Sequence, residues 1–191
     1  TMVIVISVGP TTFYTAPDSK YKTIHDLINS KESITIGHNA QGTKSVAQAV
    51  FGSKTVIWVP FTNAVDSVSS LLKGGLDLYV DSGRLEELSN AGKIRSLGHI
   101  NGTSTVGGPD LAKEFPVAAE LPAFVAITTS INNDPADIEE LNRRLMPLIH
   151  SKELAEVIGK IGWAPAGFSV KKSNEMVNTI RRTIERLEHV K

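Results

Sequence analysis

Three short stretches set small polar side chains and glycine where an apolar run gives way to a helical one, a combination suited to holding an anion. The first, residues 37–45, contains Asn39, Gln41, Gly42 and Thr43. The second, 60–64, contains Thr62, Asn63 and Ala64, and the third, 81–84, opens with Asp81 and Ser82. Free backbone N–H groups at a helix start attract a negative charge without help from arginine. Asp81 and Ser82 would meet a ligand amine or hydroxyl at the other end. The same residue types also cap helices. Asn63, with Asp66 three residues on, fits a cap as well as a binding role, and so do Asp81 and Ser82 ahead of the next helix.

Residues 37–45 nearly spell a phosphate-binding loop, Gly-His-Asn-Ala-Gln-Gly-Thr-Lys-Ser, and 76–81 read like the strand that follows one in nucleotide-binding proteins. The register is wrong. Thr43 separates Gly42 from Lys44, which turns the lysine by roughly a quarter turn on a helix of ~3.6 residues per turn. The five histidines show none of the spacings that bind zinc. Asp77 and Asp81 share one face of a strand, but nothing in their spacing supplies the cleft that paired catalytic carboxylates need. Ser82-Gly83 lacks the preceding glycine of a nucleophile elbow. Trp58 and Trp163 read as core or interface residues. No residue set points to catalysis, so the chain is expected to bind rather than turn over, with no cofactor.

The elements that must position these loops alternate. Strands are expected over 33–36, 55–59, 76–80 and 94–100, and helices over 45–50, 64–72 and 84–91; Val65, Val68, Leu71 and Leu72 recur at helical spacing. Such alternation implies right-handed crossovers and a mostly parallel α/β sheet, whose carboxyl edge would carry all three loops. Thr23 with Asp26 resembles a capping box before a helix over 24–28. Residues 101–110, rich in Gly, Ser and Thr, read as a loop crossing between lobes, and Asn101-Gly102-Thr103 within it matches a glycosylation sequon by coincidence. Beyond it, 117–129 is apolar and extended. Helices follow over 135–150, 152–161 and 173–190, the first opened by Asp134-Pro135.

Bulk properties narrow the partner. The 191 residues are 41% hydrophobic, enough for a real core. Twenty Lys plus Arg balance twenty Asp plus Glu, so no basic field exists to attract nucleic acid. There is no cysteine, which removes disulfides and thiolate chemistry. Residues 2–8 are apolar but far short of the ~20 needed to span a membrane, and read as a buried strand.

Four segments in order resemble the substrate-binding receptors of tripartite tricarboxylate transporters, the Bug receptors. Residues 21–28 are similar to the family's P-x-K-T-x-x-D-L-I segment, and 36–43 to its Y-G-S-A-G-x-G-S loop. Val59-Pro60-Phe61-Thr62-Asn63-Ala64, followed by residues 71–82, resembles V-P-Y-K-G-x…L-L-G-G-x-V-D-L-M-F-D-S without a gap, and 91–97 match A-G-K-L-R-A-L. Departures are local. Thr62-Asn63 stand for Lys-Gly, Ala40 for Gly, Val46 for His, and Phe124-Val125-Ala126-Ile127 for an aromatic-glycine stretch. The resemblance implies a periplasmic-binding-protein-like fold of type II with two α/β lobes. It also implies a periplasmic location, membrane transporter subunits as partners, and a small carboxylate or amino-acid ligand held by backbone N–H groups and hydroxyls. On this reading Thr43→Ala weakens binding alone, and Gly42→Val damages binding and folding.

Set against that family, 1–15 would be a crossover strand and remnant of the first lobe, 16–115 the second lobe, and 116–191 the return crossover with the first lobe's C-terminal helices. The first lobe is then incomplete. A fragment and a shortened relative with a regulatory or scaffolding role both fit. Faces carrying Leu141, Leu145, Leu148, Val177, Ile180 and Ile184 would be partly bare, and the chain is expected to self-associate.

Overall fold

The computed structural model describes residues 1–83, 85–102 and 106–189. The N-terminal run forms two consecutive strands, β1 (Met2–Gly9) and β2 (Thr11–Thr15), in different sheets. Pro10 stands between them, and its missing N–H ends one ladder before the next begins. β1 is the centre of a three-stranded antiparallel sheet, flanked by β7 (Ala123–Thr128) and β8 (Ala164–Pro165).

β2 belongs to a five-stranded sheet of order β4-β3-β5-β2-β6. There β3 (Ile34–His38) pairs in parallel with β4 (Val56–Pro60) and β5 (Leu78–Asp81), while β2 runs antiparallel to β5 and to β6 (Arg95–Ile100). The four strands expected from the alternation therefore point one way. A single opposing strand from the N-terminus is slotted between the last two.

α1 (Ile24–Asn29) opens with the expected capping box, the Thr23 hydroxyl accepting from the Asp26 N–H and the Asp26 carboxylate from the Thr23 N–H. α2 (Gln41–Phe51) begins earlier than the apolar pattern suggests, because its first turn carries no apolar residue except the N-cap Ala40. Its buried Val46, Ala47, Val50 and Phe51 form one stripe on the sheet, with Phe51 edge-on to Phe13 at 6.4 Å. α3 (Ala64–Leu72) and α4 (Glu86–Asn90) cover the other face around Tyr14, Leu71 and Tyr79. Arg84, placed in that helix by the sequence pattern, lies outside the described residues.

The loop after β6 does not cross between sheets. Its far end returns along β6, with the His99 N–H donating to Pro109 and the Leu111 N–H to His99. Thr103, which completes the sequon, lies outside the described residues. The passage follows later. A helical turn, α5 (Pro116–Ala119), packs beside α2, and only then does β7 join β1, so the first part of the stretch expected to be extended is helical. α6 (Pro135–Ile149), capped by Asp134, and α7 (Lys152–Gly159) follow.

α8 (Val170–His189) serves both sheets. Near its start the Ser173 hydroxyl accepts from the Val5 N–H of β1 at 3.0 Å. Farther along, Ile180, Ile184 and Leu187 pack on the core of the larger sheet, so the face expected to be bare is covered there. The Thr183 hydroxyl donates to Glu120 at 2.6 Å, and Arg186 donates to the same carboxylate. On α6 the expectation holds for Leu141 and Leu148, 42% and 62% exposed, but Leu145 packs inward against the cluster of Val3, Ile4, Ile138 and Ile149.

Candidate functional site

The register of β3 with β4 and β5 sets His38 beside Pro60 and Val80, so the three polar loops share one sheet edge, as expected. Beside that edge lies a cavity of about 270 Å³ between the two sheets. Its polar lining includes Thr11 at the head of β2, Gly42 and Thr43 in the first turn of α2, and Ser82 after β5. Leu121, Phe124, Trp163, Ile180 and Ile184 are among its apolar lining.

The start of α2 is open in a way its sequence does not announce. Its N-cap is Ala40, which has no side chain able to bond the first-turn N–H groups. The nearby polar side chains turn elsewhere. The Thr43 hydroxyl donates to the Ala40 carbonyl at 2.9 Å, and the same carbonyl faces His38 Nδ1 at 3.3 Å, an approach that makes this nitrogen the protonated one. Asn39 donates through Nδ2 to Asp81 at 2.7 Å. These bonds fix the loop without covering its amides. Thr11 adds a second polar group: it is 2% exposed and lines the cavity.

Asp81 holds a supporting position. It is wholly buried, and its carboxylate accepts from Asn39 and from the Tyr79 hydroxyl at 3.0 Å, bracing the strand end against the loop that starts α2. On the same face of the sheet the buried Tyr14 hydroxyl donates to Glu86 at 2.7 Å, and burial, then the Glu86 carboxylate, pushes that phenol far above its usual range. His99 is buried nearby with Nδ1 unpartnered, and burial lowers its pKa.

Of the residues marked by sequence, Gly42, Thr43 and Ser82 reach the cavity and Asn39 and Asp81 support it. Gln41 is exposed and lies in a separate depression with Lys44 and Trp58. Thr62, Asn63 and Ala64 stand at the start of α3, outside the cavity, because β4 is the edge strand and lies one strand farther from β2. There Asn63 caps: Oδ1 accepts from the Asp66 N–H at 2.9 Å and Nδ2 donates to the Asp66 carboxylate. Lys44, the lysine of the phosphate-loop-like stretch, sits over the Trp58 ring at 5.5 Å and does not line the cavity. Gly42 has open space where a Cβ would go, so the expectation that Gly42→Val disturbs folding is not supported.

Two lining contributions escaped the sequence. Thr11 follows the proline that switches sheets, and only the pairing of β2 brings it to this edge. Trp163 reads from the sequence as core or interface, with no partner named, and it is buried. Its Nε1 donates to the Ser82 carbonyl at 2.7 Å, and its ring lies so close to Gly9 that a Cβ there would come within 2.2 Å of it. The tryptophan thus ties the smaller sheet to the cavity rim.

No family model matches the chain, and no curated protein matches it. Solved structures do match in shape. A TctC solute-binding protein from Polaromonas aligns over 99% of this chain and 68% of its own length, with TM-score 0.75 and 11% identity. A Rhodopseudomonas palustris protein solved with adipate aligns over 100% and 68%, at TM-score 0.75 and 18% identity. MatC from the same organism, with bound malate, aligns over 98% and 69%, at TM-score 0.73 and 13% identity. The chain has the α/β fold of the TctC and Bug periplasmic binding proteins and spans about two thirds of their length.

Proposed function

We propose that the chain is a solute-binding receptor that captures a small carboxylate outside the cytoplasm and presents it to a tripartite tricarboxylate-type transporter, without catalysing a reaction. The observation that carries this reading is the uncapped start of α2 opening into the cavity beside Thr11 and Ser82. N–H groups at a helix start favour an anion, and a carboxylate suits two amides and a hydroxyl. The fold supports the same reading, since two structures that share it hold adipate and malate.

Gly42 and Thr43 supply the N–H groups, Thr11 and Ser82 the hydroxyls. Asn39 and Asp81 keep the loop in place. The test is a thermal-shift screen of carboxylates, amino acids and magnesium nucleotides. A ligand at 100 times its dissociation constant stabilises by about 2.7 kcal/mol, a clear rise in melting temperature. A shift with nucleotide alone, or hydrolysis of ester or phosphate substrates by pure protein, overturns the proposal.

A further inference from the structure

Three backbone segments converge at the cavity rim, where the chain passes from one sheet to the other. They are the switch between β1 and β2 at Gly9-Pro10, the turn after β5 at Ser82-Gly83, and the connection from α7 to β8 at residues 161–163. Glycine permits the approach. A Cβ on Gly9 would lie 2.2 Å from the Trp163 ring, and one on Gly83 would lie 2.5 Å from Pro10 Cγ and 3.6 Å from the Ile161 carbonyl oxygen. Trp163 spans the junction. The residue after it opens β8, which pairs with Val8 of β1, so its backbone belongs to the smaller sheet, while its Nε1 donates to the Ser82 carbonyl at the rim of the larger one at 2.7 Å. Both Trp163 and Ser82 line the cavity, so the spacing they hold is the spacing a ligand meets.

We propose that Trp163 is a positioning residue of this site, a latch whose hydrogen bond to Ser82 fixes the distance between the two sheets across the cavity and keeps the binding-competent spacing populated; the link to affinity rests on the receptor reading of the same cavity. The indole N–H supplies the tie. The ring, seated against Gly9 at the sheet switch, supplies the stop. Without the tie the sheets sample wider spacings, and a ligand binds with an affinity reduced by the fraction of molecules that hold the right one. α8 also bridges the sheets, through Ser173 on β1 and through Ile180, Ile184 and Leu187 on the larger core, so losing the latch loosens the spacing without parting the sheets.

The chain has no cysteine, so a pair of spin labels can be placed without background. Val65→Cys on α3, 78% exposed, and Glu139→Cys, exposed on α6, report the inter-sheet distance by pulsed electron paramagnetic resonance, with labelled chains diluted into unlabelled ones. The labelled parent is expected to show one narrow distance. Trp163→Phe keeps a ring near Gly9 and loses the N–H, and Gly9→Ala drives a methyl into the indole from the other side. Each is expected to broaden the distribution and add a longer distance, with circular dichroism unchanged. In calorimetric titration with adipate and malate, Trp163→Phe is expected to bind about two- to tenfold weaker than the parent, the worth of one neutral hydrogen bond, and saturating acid is expected to restore the parent's distance. Distances in both variants that superimpose on the parent's overturn the latch. A widened distribution with unchanged affinity overturns its role in the site and leaves the receptor reading standing. A parent that binds neither acid at millimolar concentration overturns the link to affinity, and the distances alone then decide the latch.

Discussion

At the scale of single residues, sequence motif and tertiary role part company most clearly at Asn63 and Gly42. Asn63 lies in a family-like loop, yet both ends of its amide are spent on Asp66 at the start of α3. Asn63→Ala is expected to lower stability by roughly 0.5–2 kcal/mol, the worth of an N-cap, and to leave ligand affinity unchanged. Denaturant unfolding and titration of one sample read both. Gly42 is the converse. Its α-hydrogen points into open space beside the cavity, so Gly42→Val is expected to weaken ligand binding by tenfold or more, about 1.4 kcal/mol, with under about 1 kcal/mol lost from folding. Unchanged affinity would remove the start of α2 from the site. The buried histidines add a pH dependence. Burial lowers the pKa of both His38 and His99 below the usual 6.5. The unfolded chain then takes up protons first as pH falls, so their contribution to stability is present above about pH 6.5 and is lost through the lowered values. Melting temperature is expected to drop on going from about pH 7.5 to about pH 5, with a shallower drop in His99→Asn. A flat profile would mean that neither ring is held neutral by the fold.

At the scale of elements, α2 and α8 decide whether the cavity exists. α2 contributes polar lining, and its position depends on the stripe Val46, Ala47, Val50 and Phe51 against the sheet. α8 contributes apolar lining through Ile180 and Ile184, and it is anchored at Glu120, which accepts from the buried Thr183 and from Arg186. Removing the Glu120 carboxylate strands a buried hydroxyl, at a cost of about 1–3 kcal/mol. Glu120→Ala is therefore expected to lower the denaturation midpoint and to raise amide exchange in the second half of α8 more than in α6. Uniform exchange along both helices would show that apolar packing alone holds α8.

At the scale of the whole molecule, two sheets meet through β1 and β2, through Trp163 and through α8, while the outer side of the smaller sheet's helices keeps exposed apolar residues. Leu141 and Leu148 lie two turns apart on α6, and Val157 on α7 is 60% exposed. Such surfaces tend to be covered by association. Light scattering over a concentration series is expected to show a mass above the 20.6 kDa of one chain, reduced by Leu148→Glu; a monomer at all concentrations contradicts this. Periodicity and caps alone determined most elements of the larger sheet, including α3 to the residue and the capping box at Thr23, because these depend on neighbours within a turn or a strand. The same local signals placed the anion-suited loops on one edge, since parallel strands put every strand-to-helix turn there. Tertiary structure decided the rest. The insertion of β2 between β5 and β6, the arrival of Thr11 and Trp163 at the cavity, the capping role of Asn63 and the seat of α8 on the larger sheet all join residues remote in sequence. Hydrophobic pattern records that a side chain is buried, and pairing across the fold chooses the partner it is buried against.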